Sequence, residues 1–347
     1  MLSSAAAPRP LLAIFHILLR VFSTPPSIAA AVHVPSSTTL HQLSVDFYSK
    51  TCPQLEQLVA SSTAHNFRES PISGPATIRL FFHDCFVEGC DASILLKSEP
   101  GPGVLAAERD AHDNINLAAE AYVSIQKAKA VVESKCPGVV SCADIVAIAA
   151  RDFVRLAGGP YYPVKKGRRD GRVSLASTVK DNLPRSNSTV DQLLNLFQSK
   201  GLSLTDLVAL SGAHSIGFSH CDQFVSRLYN FHGTQKPDPS IDPRLLKALR
   251  MSCPHRGGNR DVVAPFDVAT PFTLDNMYYQ NLEAKMGLLP TDQALFLDPR
   301  TRPVVQALGK DEALFFQAFS GGMDRMGSVG VKVGMQGEIR RDCFKTL

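Results

Sequence analysis

Eight cysteines, Cys52, Cys85, Cys90, Cys136, Cys142, Cys221, Cys253 and Cys343, constrain this 347-residue chain more than any other feature. The number is even, and none lies in the first 41 residues. In an oxidising compartment such a set pairs into disulfides, and a chain crossed by them must hold distant segments together. Eight thiols allow on the order of a hundred pairings, so counting selects none. The alternatives are buried free thiols or a zinc site, and no Cys-x-x-Cys pair occurs to favour zinc.

The leader supports the oxidising compartment. Residues 1–41 contain no acidic residue, carry Arg9 and Arg20, and hold a mostly apolar run from Leu11 to Phe22 followed by Ala29, Ala30 and Ala31. This is a signal-peptide pattern, with cleavage after Ala31 or nearer Gln42, although His16 and Arg20 interrupt the run. An organelle-targeting leader or an anchor is the alternative, and the run falls short of the ~20 residues that span a bilayer. The expectation is a secreted protein, free of the membrane once the leader is removed. Residues 42–347 then form the mature domain.

Hydrophobic residues make up 44% and charged residues 20% of the chain, which suits a soluble globular protein. The net charge of +4 is spread without a block of like charges, so no nucleic-acid partner is expected. Helical signals dominate. "PQLEQLVASSTAHNFRES" opens on a proline; "SCADIVAIAARDFVRLAGG" and "SLTDLVALSG" each have a serine three residues before an aspartate, the spacing of a capping box. "DEALFFQAFSGGMDRMG" carries Phe315, Ala318 and Phe319 at helical spacing. Strand-like alternation is scarce, so the fold is expected to be mainly α. The 159–190 stretch, rich in Pro, Gly and basic residues, reads as an irregular connection between halves at about 42–190 and 191–347.

Three fragments carry chemistry. In "RLFFHDCFVEGCDAS" a helix starting near Gly74-Pro75 puts Arg79 and His83 on one face, with Phe82 beside them. An imidazole can take up and return a proton, and a guanidinium can stabilise negative charge. The plain alternative is a half-buried histidine beside a surface arginine. In "ALSGAHSIGFSHC" small neighbours leave room for a flat, bulky group against His214; a helix-capping histidine is the alternative. Two oxygen-rich loops, one with Asp84, Val87, Gly89, Asp91 and Ser93 and one with Asp267, Thr270, Thr273 and Asp275, suit a hard cation such as calcium or ordinary turns.

Together these fragments resemble the secretory plant haem peroxidases, the class III group. The matching motifs run in order from about 42 to 344: "QLSVDFYSKTCP", "RLFFHDCFVEGCDASILL", "SCADIVAIAARD", "GRRDG", "NLP", "LSGAHSIG", "TPFTLDNMYYQNL", "GLLPTDQALF", "MGSVGV" and "GEIRRDC". The resemblance implies a mainly α haem-peroxidase fold with one non-covalent haem b between distal and proximal halves. It implies His83, Arg79 and Phe82 as the distal catalytic group, Asn114 on the distal histidine, and Glu108 behind Asn114. It implies His214 as the axial ligand, Asp292 as its support and Pro184 at the substrate channel. Two calcium ions are implied, one on Asp84, Val87, Gly89, Asp91 and Ser93, the other on Ser215, Asp267, Thr270, Thr273 and Asp275. The family pairing would join Cys52 to Cys136, Cys85 to Cys90, Cys142 to Cys343 and Cys221 to Cys253.

The implied activity is one-electron oxidation of small phenolic donors by hydrogen peroxide, in a monomer secreted to the cell wall or vacuole. The implied settings are wall polymer formation, peroxide removal or stress response. The alternative is a catalytically weak protein of the same fold acting as a wall-binding or structural component. A hydrolase has little support, since Cys85 has Cys90 as a potential partner and Ser211 lacks a G-x-S-x-G setting. Departures from the pattern are the absence of tryptophan, with Tyr162 near the usual position, serine at 215 where threonine is common, and His112 and Asp113 near the channel. Lys165 and Lys166 read as a solvated basic loop, and Asn187 opens a glycosylation sequon.

Overall fold

A computed structural model describes residues 43–99, 101, 103–255 and 262–346; the leader expected at 1–41 lies outside the described residues. The first four helices, α1 (Leu55–Glu69), α2 (Ser73–Val87), α3 (Ala119–Glu133) and α4 (Cys142–Leu156), pack on one another, α2 lying against α3 and α4. A second group follows: α5 (Val190–Ser199), α6 (Leu204–Ser211), α7 (Val225–Tyr229), α8 (Pro243–Ser252), α9 (Met277–Glu283), α10 (Pro290–Leu297), α11 (Arg302–Lys310) and α12 (Glu312–Met326). In it α6 packs on α12, and α9 on α11. The described β structure includes one antiparallel pair, β1 (Phe218–His220) with β2 (Val263–Pro265), Phe218 facing Pro265. The expected mainly α class is what the chain adopts.

Helix α4 shows why. Every residue from Cys142 to Val154 is buried, so this helix is covered on all sides and forms the centre of the main core. Its start is set by Ser141, whose Oγ accepts from the Asp144 N–H at 3.1 Å. The reciprocal half of the expected capping box is absent. The Asp144 carboxylate instead accepts from Tyr48 Oη at 2.8 Å, the Gly167 N–H at 2.7 Å and Arg168 Nη1 at 2.8 Å. Tertiary partners outcompete the local one because a buried carboxylate gains more from three donors, one of them charged. At α6 both halves form, with Asp206 Oδ2 2.8 Å from the Ser203 N–H.

Four disulfides cross the fold: Cys52–Cys136, Cys85–Cys90, Cys142–Cys343 and Cys221–Cys253. These are the four pairs the family pairing would form. The last lies in a smaller core with Phe224, Leu228, Leu245, Leu249 and Leu289. The 159–190 connection has no α-helix before α5 begins at Val190, and a single 3-10 turn at Ala176–Thr178. It is tied down by β-bridges, Lys166 with Ser44, Arg169 with Lys332 and Asp170 with Glu338. Lys166 corrects the reading of a solvated basic run. It is buried and paired with Glu56, while Lys165 stays half-exposed beside Asp324 at 2.7 Å. Among the described residues no helix is long and apolar enough to cross a membrane.

Candidate active site

Helix α2 begins at Ser73, with Pro75 in its first turn, and places Arg79 and His83 one turn apart. His83 is buried, and its Nδ1 lies 2.7 Å from Asn114 Oδ1. The Asn114 amide is oriented by its own Nδ2, which donates to the Glu108 carbonyl at 2.7 Å. An amide oxygen only accepts, so the imidazole carries its proton on Nδ1 and presents a lone pair on Nε2. Among the described residues no group bonds Nε2. Burial first, then the Arg79 charge, bring the His83 pKa down to about 3 against the opposing Asn114 contact. The ring therefore stays neutral, with its Nε2 lone pair free of a proton. Phe82 packs edge-on against it, ring centres 5.3 Å apart.

Glu108 does stand behind Asn114, but through its main chain. Its carboxylate is buried, with Asp84 and Ser93 acting on it. Arg79 is held by a residue that sequence reasoning missed. Its Nη2 donates to Asn116 Oδ1 at 2.8 Å and its Nη1 to the Asn116 carbonyl at 3.2 Å. The Asn114-Ile115-Asn116 spacing was the available signal: one short segment grips both residues of the α2 pair. Without this clamp a long guanidinium side chain samples several rotamers. On the activity that the resemblance implies, Asn116→Ala is expected to slow the reaction with peroxide about ten- to a hundredfold while leaving later donor steps near parental values; rapid-mixing kinetics of the two steps will check this.

His214 sits in the 3-10 turn Gly212–Ser215 that follows α6. The turn packs so tightly that a Cβ at Gly212 would come within 2.5 Å of Phe315 and of Tyr279 Oη. His214 Nδ1 lies 2.8 Å from Asp292 Oδ1, and Asp292 is positioned by the first turn of α10, where its Oδ2 accepts from the Leu289 N–H at 3.1 Å. Phe266 lies parallel to the imidazole at 4.1 Å. The side chain is 34% exposed, and Nε2 has no bonding partner among the described residues. Just beyond, a Cβ at Gly217 would meet Pro75 at 2.9 Å, so the segment carrying His214 rests on the start of α2. His83 lies eight residues further along that helix, about 12 Å.

The oxygen-rich loops close up as groups. In the first, Asp84 Oδ2 accepts from the Ala92 N–H at 2.9 Å and Asp91 Oδ1 from the Ser93 N–H at 2.9 Å. Gly89 has φ +98°, and a Cβ there would strike the Gly330 carbonyl, so the wrap requires glycine. Val87 ends α2 beside it. Asp84, Asp91, Ser93 and Glu108 are all buried, and the Ser93 hydroxyl is short of a hydrogen bond of ordinary geometry. Burial, followed by Asp91, raises the Asp84 pKa strongly; burial, followed by Asp84, raises Glu108 to about 9. Lys332 pairs with the outer oxygen of Asp91. In the second loop Ser215 Oγ donates to the Thr273 carbonyl at 3.0 Å, and both Ser215 and Thr270 hydroxyls reach Asp275 Oδ1 at 3.2 Å. Asp267 accepts from the Thr270 N–H at 3.0 Å while its Oδ2 is buried, short of a hydrogen bond of ordinary geometry. Neither set gathers three His, Cys, Asp or Glu side chains among the described residues; each combines carboxylates with hydroxyls and main-chain carbonyls, the oxygen types a hard cation could use.

Residues 59–311 match the peroxidase family model, and the chain is 60% identical over 310 residues to Peroxidase 19 of Arabidopsis thaliana, covering 89% of each chain. The chain belongs to the plant class III peroxidase family. Peroxidase 55 of Arabidopsis thaliana is 50% identical over 302 residues, covering 87% of this chain and 90% of its own; Peroxidase 16 of that plant is 46% identical over 312 residues, covering 89% and 94%. This peroxidase is thus an enzyme that reduces hydrogen peroxide with electrons from a donor, and the family implies haem.

Pro184 is half-buried on the 159–190 connection and Asn187 is exposed. The His112 side chain is fully exposed, 3.4 Å from Asp113. Tyr162 is buried with its hydroxyl unpartnered. It lines a cavity of about 10 Å³ with Phe81, Ala147, Val164 and Met323, so the ring is used as core packing.

Proposed function

We propose that this chain is a secreted, monomeric peroxidase. It holds one non-covalent haem b between His83 and His214 and oxidises small phenolic donors in one-electron steps. The observation that carries the reading is a pair of imidazoles, each held at Nδ1 by a side-chain oxygen and each free at Nε2. The two acceptors differ in kind. A carboxylate pulls hard on the His214 ring proton and makes its Nε2 a strong donor, as an axial ligand needs. A neutral amide fixes the His83 tautomer without adding charge, as a proton carrier needs. The residues present therefore fit haem, with His214 as ligand and His83 opposite.

Bound haem supplies an iron centre that accepts two oxidising equivalents from peroxide and releases them singly to donors. The chain's own residues manage the protons. With haem bound, His83 Nε2 would take a proton from one peroxide oxygen and return it to the other. Arg79, locked by Asn116, faces the charge that develops as the O–O bond lengthens. Purified secreted chain should show a haem absorption band and oxidise a simple phenol only when peroxide is present. Absence of the band sinks the reading. Bound haem without turnover would favour a binding or structural wall component, which no observation favours now.

Two calcium ions belong to the same proposal. The buried oxygens of Ser93, Glu108 and Asp267, short of hydrogen bonds of ordinary geometry, are what a cation would satisfy. The second loop is coupled to His214: Ser215 is its neighbour, and Phe266, next to Asp267, stacks on its ring. Prolonged chelation is expected to lower the melting temperature by several degrees and the turnover together, both returning with calcium and not with magnesium. Unchanged melting and turnover would make the loops plain turns.

A further inference from the structure

The carboxylate oxygen that receives the His214 ring proton has a second donor. Tyr278 Oη lies 3.1 Å from Asp292 Oδ1, the same atom that lies 2.8 Å from His214 Nδ1. The other oxygen, Oδ2, is taken by the Leu289 N–H. Tyr278 is buried at 2% exposure on α9, and its ring stands edge-on to the imidazole with centres 6.3 Å apart. Burial and the adjacent Asp292 charge raise the phenol pKa well above its ordinary value, so the hydroxyl remains a donor across the working pH range. Its neighbour Tyr279 is used differently, with its hydroxyl on the Val208 and Ala209 carbonyls near the end of α6.

We propose that Tyr278 is a tuning residue: its phenol shares Asp292 Oδ1 with His214 and limits how far that carboxylate draws the ring proton. A hydrogen bond to a carboxylate stabilises its negative charge and lowers its appetite for the next donor. Asp292 thus pulls on His214 less than an unshared carboxylate would, and His214 gains less imidazolate character. A more imidazolate-like ligand favours ferric over ferrous iron. The phenol therefore sets the iron couple at a more positive potential than Asp292 alone would give. The local signal is the spacing from Tyr278 to Asp292 across the short α9–α10 connection, which no motif on the distal side contains.

This inference rests on the reading of His214 as the haem ligand, and the test separates the two. The measurements are the reduction potential of the holoenzyme by anaerobic titration and the iron–histidine stretch of its ferrous form by resonance Raman. Tyr278→Phe keeps the ring and deletes the donor. It should shift the couple toward ferric by roughly three- to tenfold, the upper end being about 59 mV for one electron, and should raise the stretching frequency. Incorporating 3-fluorotyrosine at position 278, a stronger donor of nearly equal volume, should move both in the opposite direction, and it carries the test if Tyr278→Phe folds poorly. In an Asp292→Asn background the Tyr278→Phe effect should disappear. A parent that lacks an iron–histidine band would remove His214 from its assigned role. A parent with that band, whose potential and stretch stay put or move the other way on these substitutions, overturns the role of Tyr278 and leaves the peroxidase reading intact.

Discussion

Replacing His83 by alanine is expected to slow the reaction with peroxide by about 10²–10⁴-fold, the contribution of a positioned acid–base group, while haem stays bound. The expectation follows from geometry. His83 has its Nδ1 held by Asn114 at 2.7 Å, and among the described residues no protein group occupies Nε2. Alanine removes the imidazole, which has a ring nitrogen able to take up and return a proton, whereas Arg79 cannot release its own. Rapid mixing with peroxide will show the loss in the first step, and the absorption band will show whether haem remains. A parental rate in this variant would strip His83 of its assignment. The pH profile supplies a second check. With the imidazole pKa at about 3, the basic form persists as pH falls through the usual histidine range, so the acid limb should appear only near that value. Burial is the larger cause and Arg79 the second, so Arg79→Leu should move the limb upward while slowing the step by about 10²–10³-fold.

Removing the Cys142–Cys343 bridge with paired serines is expected to cost about 2–5 kcal/mol of stability, measured by denaturant unfolding under one set of conditions. The bridge spans 201 residues and joins the start of the central helix to the C-terminal segment, both sulfurs fully buried. That segment carries Arg340, which is buried and donates to the Ala92 carbonyl at 2.7 Å and the Cys343 carbonyl at 3.0 Å. Freeing the terminus therefore loosens the first oxygen-rich loop as well, and calcium should no longer restore full stability. The same change at Cys221–Cys253, which spans 32 residues in the smaller core, should cost about 1–2 kcal/mol less on chain entropy. Equal losses at the two bridges would show that loop length is not the governing quantity.

Much of the centre could be seen in the sequence where its geometry is local. Arg79 and His83 share a helix face because four residues make about one turn. The full capping box at Ser203 and Asp206 forms within a single turn, and the Gly89 wrap lies beside the short Cys85–Cys90 bridge. Asp292, and the roles proposed for His214 and for the two oxygen-rich loops, came from motif resemblance, since the residues alone left a capping histidine and ordinary turns open. The contacts that went unseen join distant positions. Asn116 reaches Arg79 across 37 residues, and Lys332 reaches Asp91 across 241. Lys166 looked solvated because a basic loop usually is, and only its burial against Glu56 shows otherwise.

By itself the sequence determined the mainly helical class, the reacting residue types and the even set of cysteines, because propensity, capping and covalent capacity are properties of short stretches. Tertiary structure decided which acceptor each imidazole meets and what else that acceptor must serve: Asn114 tied to a main-chain carbonyl, Asp292 shared between His214 and Tyr278. The physical reason is that a buried polar atom bonds whatever packing brings within about 3 Å, and packing between helices follows from the whole chain.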